Sequence, residues 1–233
     1  AFEGAGVAHG MRATAGAIEE VWVNPDTHEA TYRTIADDAS STTVSDPPRP
    51  ALGEGPGVRA LTTKPRGICG SGLISLMAEM FLAGVIDKSG NIKSEIPNQQ
   101  ISKSANRQSA LRRRVREGKR GLEYVVAWAE ETAIGEDIVI TAVDIDNLMR
   151  AKAAMYAGFS CMARSVGLTL ADVKQVLIGG AFGQYINVEK AIQIGMLPDM
   201  PYDSFRFLGN TSLRGAYMAL LSQGARQRVN EVA

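Results

Sequence analysis

The chain has 233 residues and a mass of 24.9 kDa, the size of one large domain or two small ones. Its 25 Lys+Arg balance its 25 Asp+Glu, 45% of its residues are hydrophobic and 6% are aromatic. That composition is too apolar for disorder and not basic enough overall to be held on nucleic acid by charge alone. No apolar run approaches the ~20 residues of a membrane span. A chain of this size buries about 70% of its unfolded surface, so it needs neither a disulfide nor a metal to fold.

The first residue is Ala1, and no charged-then-apolar leader follows it. No signal peptide is read here, and the chain is expected to be a piece of a longer cytoplasmic protein. The two cysteines, Cys69 and Cys161, lie far apart and form no ligand-pair motif. They are expected to be a buried, reduced pair, and no metal site is expected within the chain.

In chain order, residues 1–16 are small and Gly-rich. Ala17–Val23 and Ala30–Ile35 alternate around Asn24-Pro25-Asp26, which predicts a hairpin. Residues 46–57, with four prolines and three glycines, read as irregular loop. After Gly67-Ile68-Cys69-Gly70-Ser71-Gly72, the positions Leu73, Leu76, Met77, Met80 and Gly84 share one helical face.

From Lys103 to Arg120 there are eight Lys/Arg against one acid, Glu117, within a less regular insertion around 88–121. This run is either a solvated helix face or loop, or a docking surface for an acidic protein or another domain. No aromatics interleave it, which counts against single-stranded nucleic acid.

Leu122–Trp128 and Asp137–Ile140 read as strands. Thr141 and Asp144 have capping-box spacing at the start of a long helix. Its face is marked by Ile145, Leu148, Lys152, Met155, Tyr156, Phe159, Met162 and Val166. Val173–Ile178 reads as a short buried strand ending in Gly179-Gly180-Ala181-Phe182-Gly183. Asn187 opens a helix closed by Gly195 and Pro198. Phe205–Leu208 is a last strand, and Asn210-Thr211-Ser212 caps a final helix, Leu213–Leu221. A strand–turn–helix rhythm after a hairpin predicts an α/β domain.

Two glycine clusters each lie between an extended segment and a helix. Backbone N–H groups and the positive end of a helix dipole can meet an anion there. Neither is a P-loop or a dinucleotide fingerprint. Each alone also reads as a turn for tight strand–helix packing.

Taken together, four segments carry a resemblance. G-I-C-G-S-G-L-I (67–74), L-I-G-G-A-F-G-Q-Y-I (177–186), A-I-Q-I-G-M-L-P (191–198) and L-G-N-T-S-L-R-G-A (208–216) resemble the ASKHA superfamily of kinases, actin and chaperone ATPases. Within it they are most similar to the reductive activators of corrinoid-dependent enzymes. A-F-E-G-A at the start and the D-I-D-N-L-M-R-A-K-A-A helix resemble the same family.

The resemblance implies an RNase H-like α/β lobe: a mixed sheet with helices on both faces, incomplete at its N-terminal edge. The whole chain, 1–233, is then the C-terminal lobe of an ASKHA ATPase. It also implies a larger protein, in which a [2Fe–2S] cluster on a domain absent from this chain supplies electrons. ATP with Mg²⁺ then drives reduction of a Co(II) corrinoid to Co(I) on a methyltransferase system. The implied partner is the corrinoid protein of that system, with a homodimer as a further possibility. Neither nucleic acid nor membrane is an implied partner. This chain lacks the phosphate loops, so by itself it is expected to be inactive. Other readings are half of a dehydratase activator or small-molecule kinase, or a degenerate docking or dimerisation lobe.

Gly179, Gly180, Ala181, Phe182 and Gly183 are the candidates for adenine and ribose contact, on a flat surface after the strand. Gly70, Ser71 and Gly72 are a second candidate, against an ordinary N-cap by Ser71. Lys152 either reaches the nucleotide or runs its stem along the core. Cys69 is a reactive thiol or a small buried residue. Glu3 is a candidate to hold a magnesium-bound water, and Asn210 reads as an N-cap.

Overall fold

The computed structural model describes residues 6–36, 63–94, 109, 111–180 and 186–232. The predicted hairpin forms as β1 (Ala17–Val23) and β2 (Ala30–Thr34), and β1 pairs in parallel with β3 (Gly67–Ile68). The Asn24 side chain accepts hydrogen bonds from Asp26 N and Thr27 N, which builds the hairpin turn. A second sheet is antiparallel, in the order β4 (Val115–Gly118), β5 (Gly121–Ala127), β6 (Ile138–Thr141). A third contains β7 (Val176–Gly179) and β8 (Phe205–Gly209), which run parallel. Among the described residues the expected single mixed sheet is thus divided into three small ones.

Five longer helices accompany them among the described residues. They are α1 (Gly70–Leu82), α2 (Ala142–Ser165), α3 (Val188–Gln193), α4 (Thr211–Leu221) and α5 (Gln223–Val232). The expected final helix ends at Leu221 with Ser222 as its C-cap, and α5 follows it directly. None is long and apolar enough to cross a membrane.

One core joins the three sheets with α1, α2 and α3, while α4 and α5 contribute no buried residue to it. Ile18 and Val21 of β1, Leu73, Leu76, Met77 and Met80 of α1, and Tyr124 and Val126 of β5 are all within it. The apolar face predicted for α1 is therefore its buried face. Helix α1 comes very close to β1, because a side chain on Gly72 would overlap the Ile18 carbonyl oxygen and meet Ile68 Cγ2 at 2.9 Å.

Polar groups then fix that approach. Ser75 Oγ accepts from Val21 N and donates to Val21 O, both at 2.9 Å. Glu79 Oε2 accepts from Val23 N at 3.0 Å. Lys190 of α3, only 7% exposed, donates from Nζ to Val21 O and Ser75 Oγ, both at 2.8 Å. It pairs with Glu79 at 3.1 Å and lies 5.2 Å from the Trp22 ring centroid. A buried ammonium is tolerated because every face of it meets an acceptor or a π-system.

The basic run is not a single solvated face. Residues 111–114 are helical and β4 follows at once. Arg114 is buried: Nη1 donates to Val125 O and Val126 O, Nη2 pairs with Glu29, and the guanidinium lies over Trp128. Tyr124 OH donates to His28 O at 2.8 Å. Through these contacts the first hairpin is docked onto the second sheet.

Helix α2 starts at the predicted capping box, with Thr141 and Asp144 capping each other reciprocally. Asp144 is fully buried and also accepts from Ala8 N. The predicted core face of α2 holds only at its start. Ile145 and Leu148 are buried, whereas Tyr156, Met162 and Val166 are 46%, 64% and 69% exposed. Cys161 is exposed there too, so the expected buried cysteine pair is corrected to one buried thiol, Cys69, and one exposed. The third sheet differs in the same way. Strand β7 was expected to be buried, but Leu177 on it is 56% exposed. In both, the apolar pattern continues past the residues that pack against the core.

Two outcomes follow from the α1 interface. Gly72→Ala should lower the stability of the fold by about 1–3 kcal/mol, because the backbone carbonyl in its way has no rotamer to yield. A chemical-denaturation midpoint equal to that of the unsubstituted chain would contradict this close approach. Lys190→Met should cost more, about 3–5 kcal/mol, since it strands the Glu79 carboxylate. Lys190→Met with Glu79→Met should recover most of that loss. A double variant no more stable than the single one would show that the ion pair is not the source.

Candidate functional site

The glycine cluster at the end of β7 meets a second one that the sequence reading did not single out as a site. Strands β7 and β8 are parallel and in register from Val176↔Phe205 to Ile178↔Phe207, and a shift then pairs Gly179 with Gly209. Gly180 N donates to Gly209 O at 2.7 Å, extending the pairing by one bond. Both chains therefore leave the sheet at the same edge. In open α/β sheets the carboxyl ends of parallel strands are where ligands bind.

The backbone at this edge is specific to glycine. Gly180 has φ +108° and Gly209 has φ +67°, and among the described residues no atom beyond their chain neighbours lies within 4 Å of where a Cβ would stand on either. The edge therefore offers open, side-chain-free backbone on two adjacent strands. Gly179 serves a different need, as its Cβ would lie 2.7 Å from Thr211 Oγ1. It lets the first turn of α4 close onto the strand. Asn210 caps α4 as expected, accepting from Leu213 N at 3.0 Å, and no acid occupies the first turn. The positive end of α4 is thus uncompensated beside the glycine edge.

These residues fit a nucleotide. A planar base or a sugar can lie on backbone where two side chains are missing. Ala181, Phe182 and Gly183 of the same motif, and Glu3, lie outside the described residues. The signal for Gly209 was present in the sequence, since Leu208-Gly209-Asn210 repeats the pattern of a strand ending in glycine.

The other candidates lie elsewhere. Gly70, Ser71 and Gly72 form the first turn of α1 and all three are buried. The N-cap position is Cys69, not Ser71, and no side chain caps it. Cys69 N donates to Ile18 O at 3.0 Å, and its Sγ lies 3.3 Å from the same oxygen and 3.2 Å from Ser71 Oγ. In this chain the motif packs α1 on β1. Lys152 is partly buried, with Nζ 3.6 Å from the place of a Cβ on Gly195, where α3 has ended. Its described neighbour is thus the Gly195 turn that follows α3.

The described residues include no group of three or more His, Cys, Asp and Glu side chains suited to a metal. Outside the glycine edge, Arg116 pairs with both Glu123 and Asp137, each at 2.8 Å. The hydrogen bond to Glu123 is the main cause that raises its pKa further above the usual guanidinium value.

A family model described as the C-terminal domain of RACo, the ASKHA domain, matches residues 1–233. The corrinoid activation enzyme RamQ of Eubacterium limosum is 32% identical over 224 residues, covering 96% of this chain and 32% of that protein. The Co(II) methylated amine-specific corrinoid protein reductase of Methanosarcina barkeri is 24% identical over 233 residues, covering 100% of this chain and 36% of that protein. A solved structure named reductive activator for corrinoid,iron-sulfur protein superposes with a TM-score of 0.76 at 40% identity. It covers 99% of this chain and 31% of that one. The chain spans about a third of the length of these relatives. With its α/β architecture and motif order, the chain belongs to the family of the RACo C-terminal domain, an ASKHA domain.

Proposed function

We propose that this chain is the C-terminal ATP-binding part of an iron–sulfur protein that reactivates corrinoid proteins, converting inactive Co(II) corrinoid to Co(I). The observation that carries the reading is the glycine edge formed by Gly180 and Gly209 beside the N-terminus of α4. The names of the relatives, which act on corrinoid proteins, supply the substrate class. In this reading Gly179, Gly180 and Gly209 line the adenosine side of the nucleotide, with Ala181, Phe182 and Gly183 continuing the same surface. The α1 turn at Gly70–Gly72 and the Lys152 contact keep the surrounding elements in place.

When bound, ATP with Mg²⁺ would supply the free energy for an otherwise uphill electron transfer whose electron would come from a [2Fe–2S] cluster on another domain. The residues described here bind and orient the nucleotide. The groups that stabilise charge on its phosphates, and the ligands of Mg²⁺, belong to segments not described here. The corrinoid protein of a methyltransferase system is the partner, and the site of action is the cytoplasm.

The test uses the full-length protein with its corrinoid protein poised as Co(II), followed by absorbance. ATP-dependent appearance of Co(I) is expected, and conversion indifferent to ATP would overturn the reading. Gly180→Val should weaken nucleotide binding by about tenfold or more, because no side chain is comfortable at this φ and the open surface is filled. Calorimetry with ADP reads that loss, and the far-UV spectrum reports whether the fold is kept.

Exposed apolar side chains on α2, β7 and α4 support a second element of the proposal, a homodimer. Tyr156, Met162, Leu177, Tyr217 and Leu220 all lie exposed on these three elements, and faces of this kind are usually covered. Sedimentation of the full-length protein should show a dimer at micromolar concentration. A monomer at all concentrations would remove this element.

A further inference from the structure

The chain that leaves the glycine edge at Gly180 rejoins the core six residues later, at Ile186, and Asn187 then opens α3. The two sides of this connection are held differently. On the strand side, Gly180 N donates to Gly209 O at 2.7 Å, and β8 is the one partner strand of β7 among the described residues. On the helix side, α3 has six residues, too few to be stable as an isolated helix. Its position is set by contacts to other elements.

The polar ones among those contacts are directional. The Asn187 side chain accepts from Lys190 N at 3.2 Å, and its Nδ2 donates to Glu20 Oε1 on β1 at 3.4 Å. Lys190 sends its ammonium into the α1–β1 interface, where it meets Val21 O, Ser75 Oγ and the Glu79 carboxylate at 2.8, 2.8 and 3.1 Å. One Glu79 oxygen holds Lys190 while the other accepts from Val23 N. The ammonium is thus tied to the β1 backbone directly, through Ser75 and through Glu79.

A buried lysine–carboxylate pair is a poor device for stability alone, since a packed apolar pair of similar volume serves as well. What it adds is geometry. Three acceptors fix the place of one nitrogen, whereas the apolar contacts of Val188 and Ala191 have no direction. The described partners of the ammonium all lie on β1 and α1, so its effect on a ligand at the glycine edge passes through the placement of α3.

We infer that Lys190 is a positioning residue for the nucleotide: by holding α3 on the α1–β1 interface it fixes where the chain returns from the glycine edge, and it couples that edge to β1. This rests on the reading above that the edge binds nucleotide. Such coupling is reciprocal. Nucleotide on the edge steadies the Lys190 contacts, and removing those contacts weakens the nucleotide.

The experiment uses the full-length protein with ADP. Hydrogen exchange is followed at the Val21 and Val23 amides, which bond to Ser75 and Glu79, and at the amides of β5 in the second sheet. ADP should slow exchange in β1 about fivefold more than in β5. Lys190→Met with Glu79→Met should keep most of the stability yet bind ADP about fivefold or more weakly in calorimetry. The difference between β1 and β5 should vanish in that variant. Ile145→Val, which trims the core at the start of α2, should lower the denaturation midpoint and leave ADP binding unchanged.

Unchanged ADP binding in the double variant would overturn the positioning role. An equal loss in Ile145→Val would overturn it too, by tracing the effect to general stability. If the double variant does not fold, exchange in the unsubstituted protein decides: equal slowing of β1 and β5 by ADP overturns the inference, and selective slowing of β1 upholds it. If the unsubstituted protein binds no ADP, the nucleotide reading and the positioning role fall together. If it binds ADP and the double variant binds it equally, only the positioning role falls.

Discussion

Helix α1 lies so close to β1 that one position between them admits no side chain, and the rest of the molecule is arranged around that approach. Gly72 allows it, and Ser75, Glu79 and Lys190 hold it by bonding to the Val21 and Val23 backbone. The Val21 amide and carbonyl both find side-chain partners on α1, so β1 is held from its edge as well as by its neighbours. Lys190 brings α3 into the same contact. Because α3 has only six residues, it has little stability as an isolated helix. Its position comes from the ammonium it sends into the α1–β1 interface and from Val188 and Ala191 in the core.

This arrangement places the glycine edge at the margin of the packed region. Phe205 at the start of β8 is in the core, whereas Gly179 and Gly209 at the far ends are exposed or partly so. The strands pass from packed to open along their length. A ligand surface needs both: an anchored base that keeps the edge rigid, and an end where backbone faces solvent. The unpaired amides at the start of α4 add positive potential to it. The basic hairpin also passes from packed to open, with Arg114 locked onto Val125 and Val126 while Lys119 and Arg120 are exposed at its tip.

Features that depend on neighbouring residues were legible in the sequence. The hairpin turn at Asn24, the Thr141–Asp144 capping box and the caps at Asn187 and Asn210 all form where the residue types place them. Each is made by groups within three or four positions, so local chemistry suffices. The buried face of α1 was legible for a similar reason, since its apolar period runs unbroken. The outer half of α2 was not. Its period continues through Met162 and Val166, but burial requires a partner, and periodicity does not say whether one is there.

By itself, the sequence determined the order of the elements, the caps that bound them and, through four motifs in order, the family. Tertiary structure alone decided what each motif packs against. It brought Gly209 beside Gly180 through parallel pairing across almost thirty residues, which no local pattern encodes. It turned Gly70–Gly72 into a packing turn because β1 occupies the space above it. It also divided one basic run into a buried guanidinium, a neutralised one and a free tip. A cation's role is set by which carboxylates and carbonyls fold against it, and those lie elsewhere in the chain.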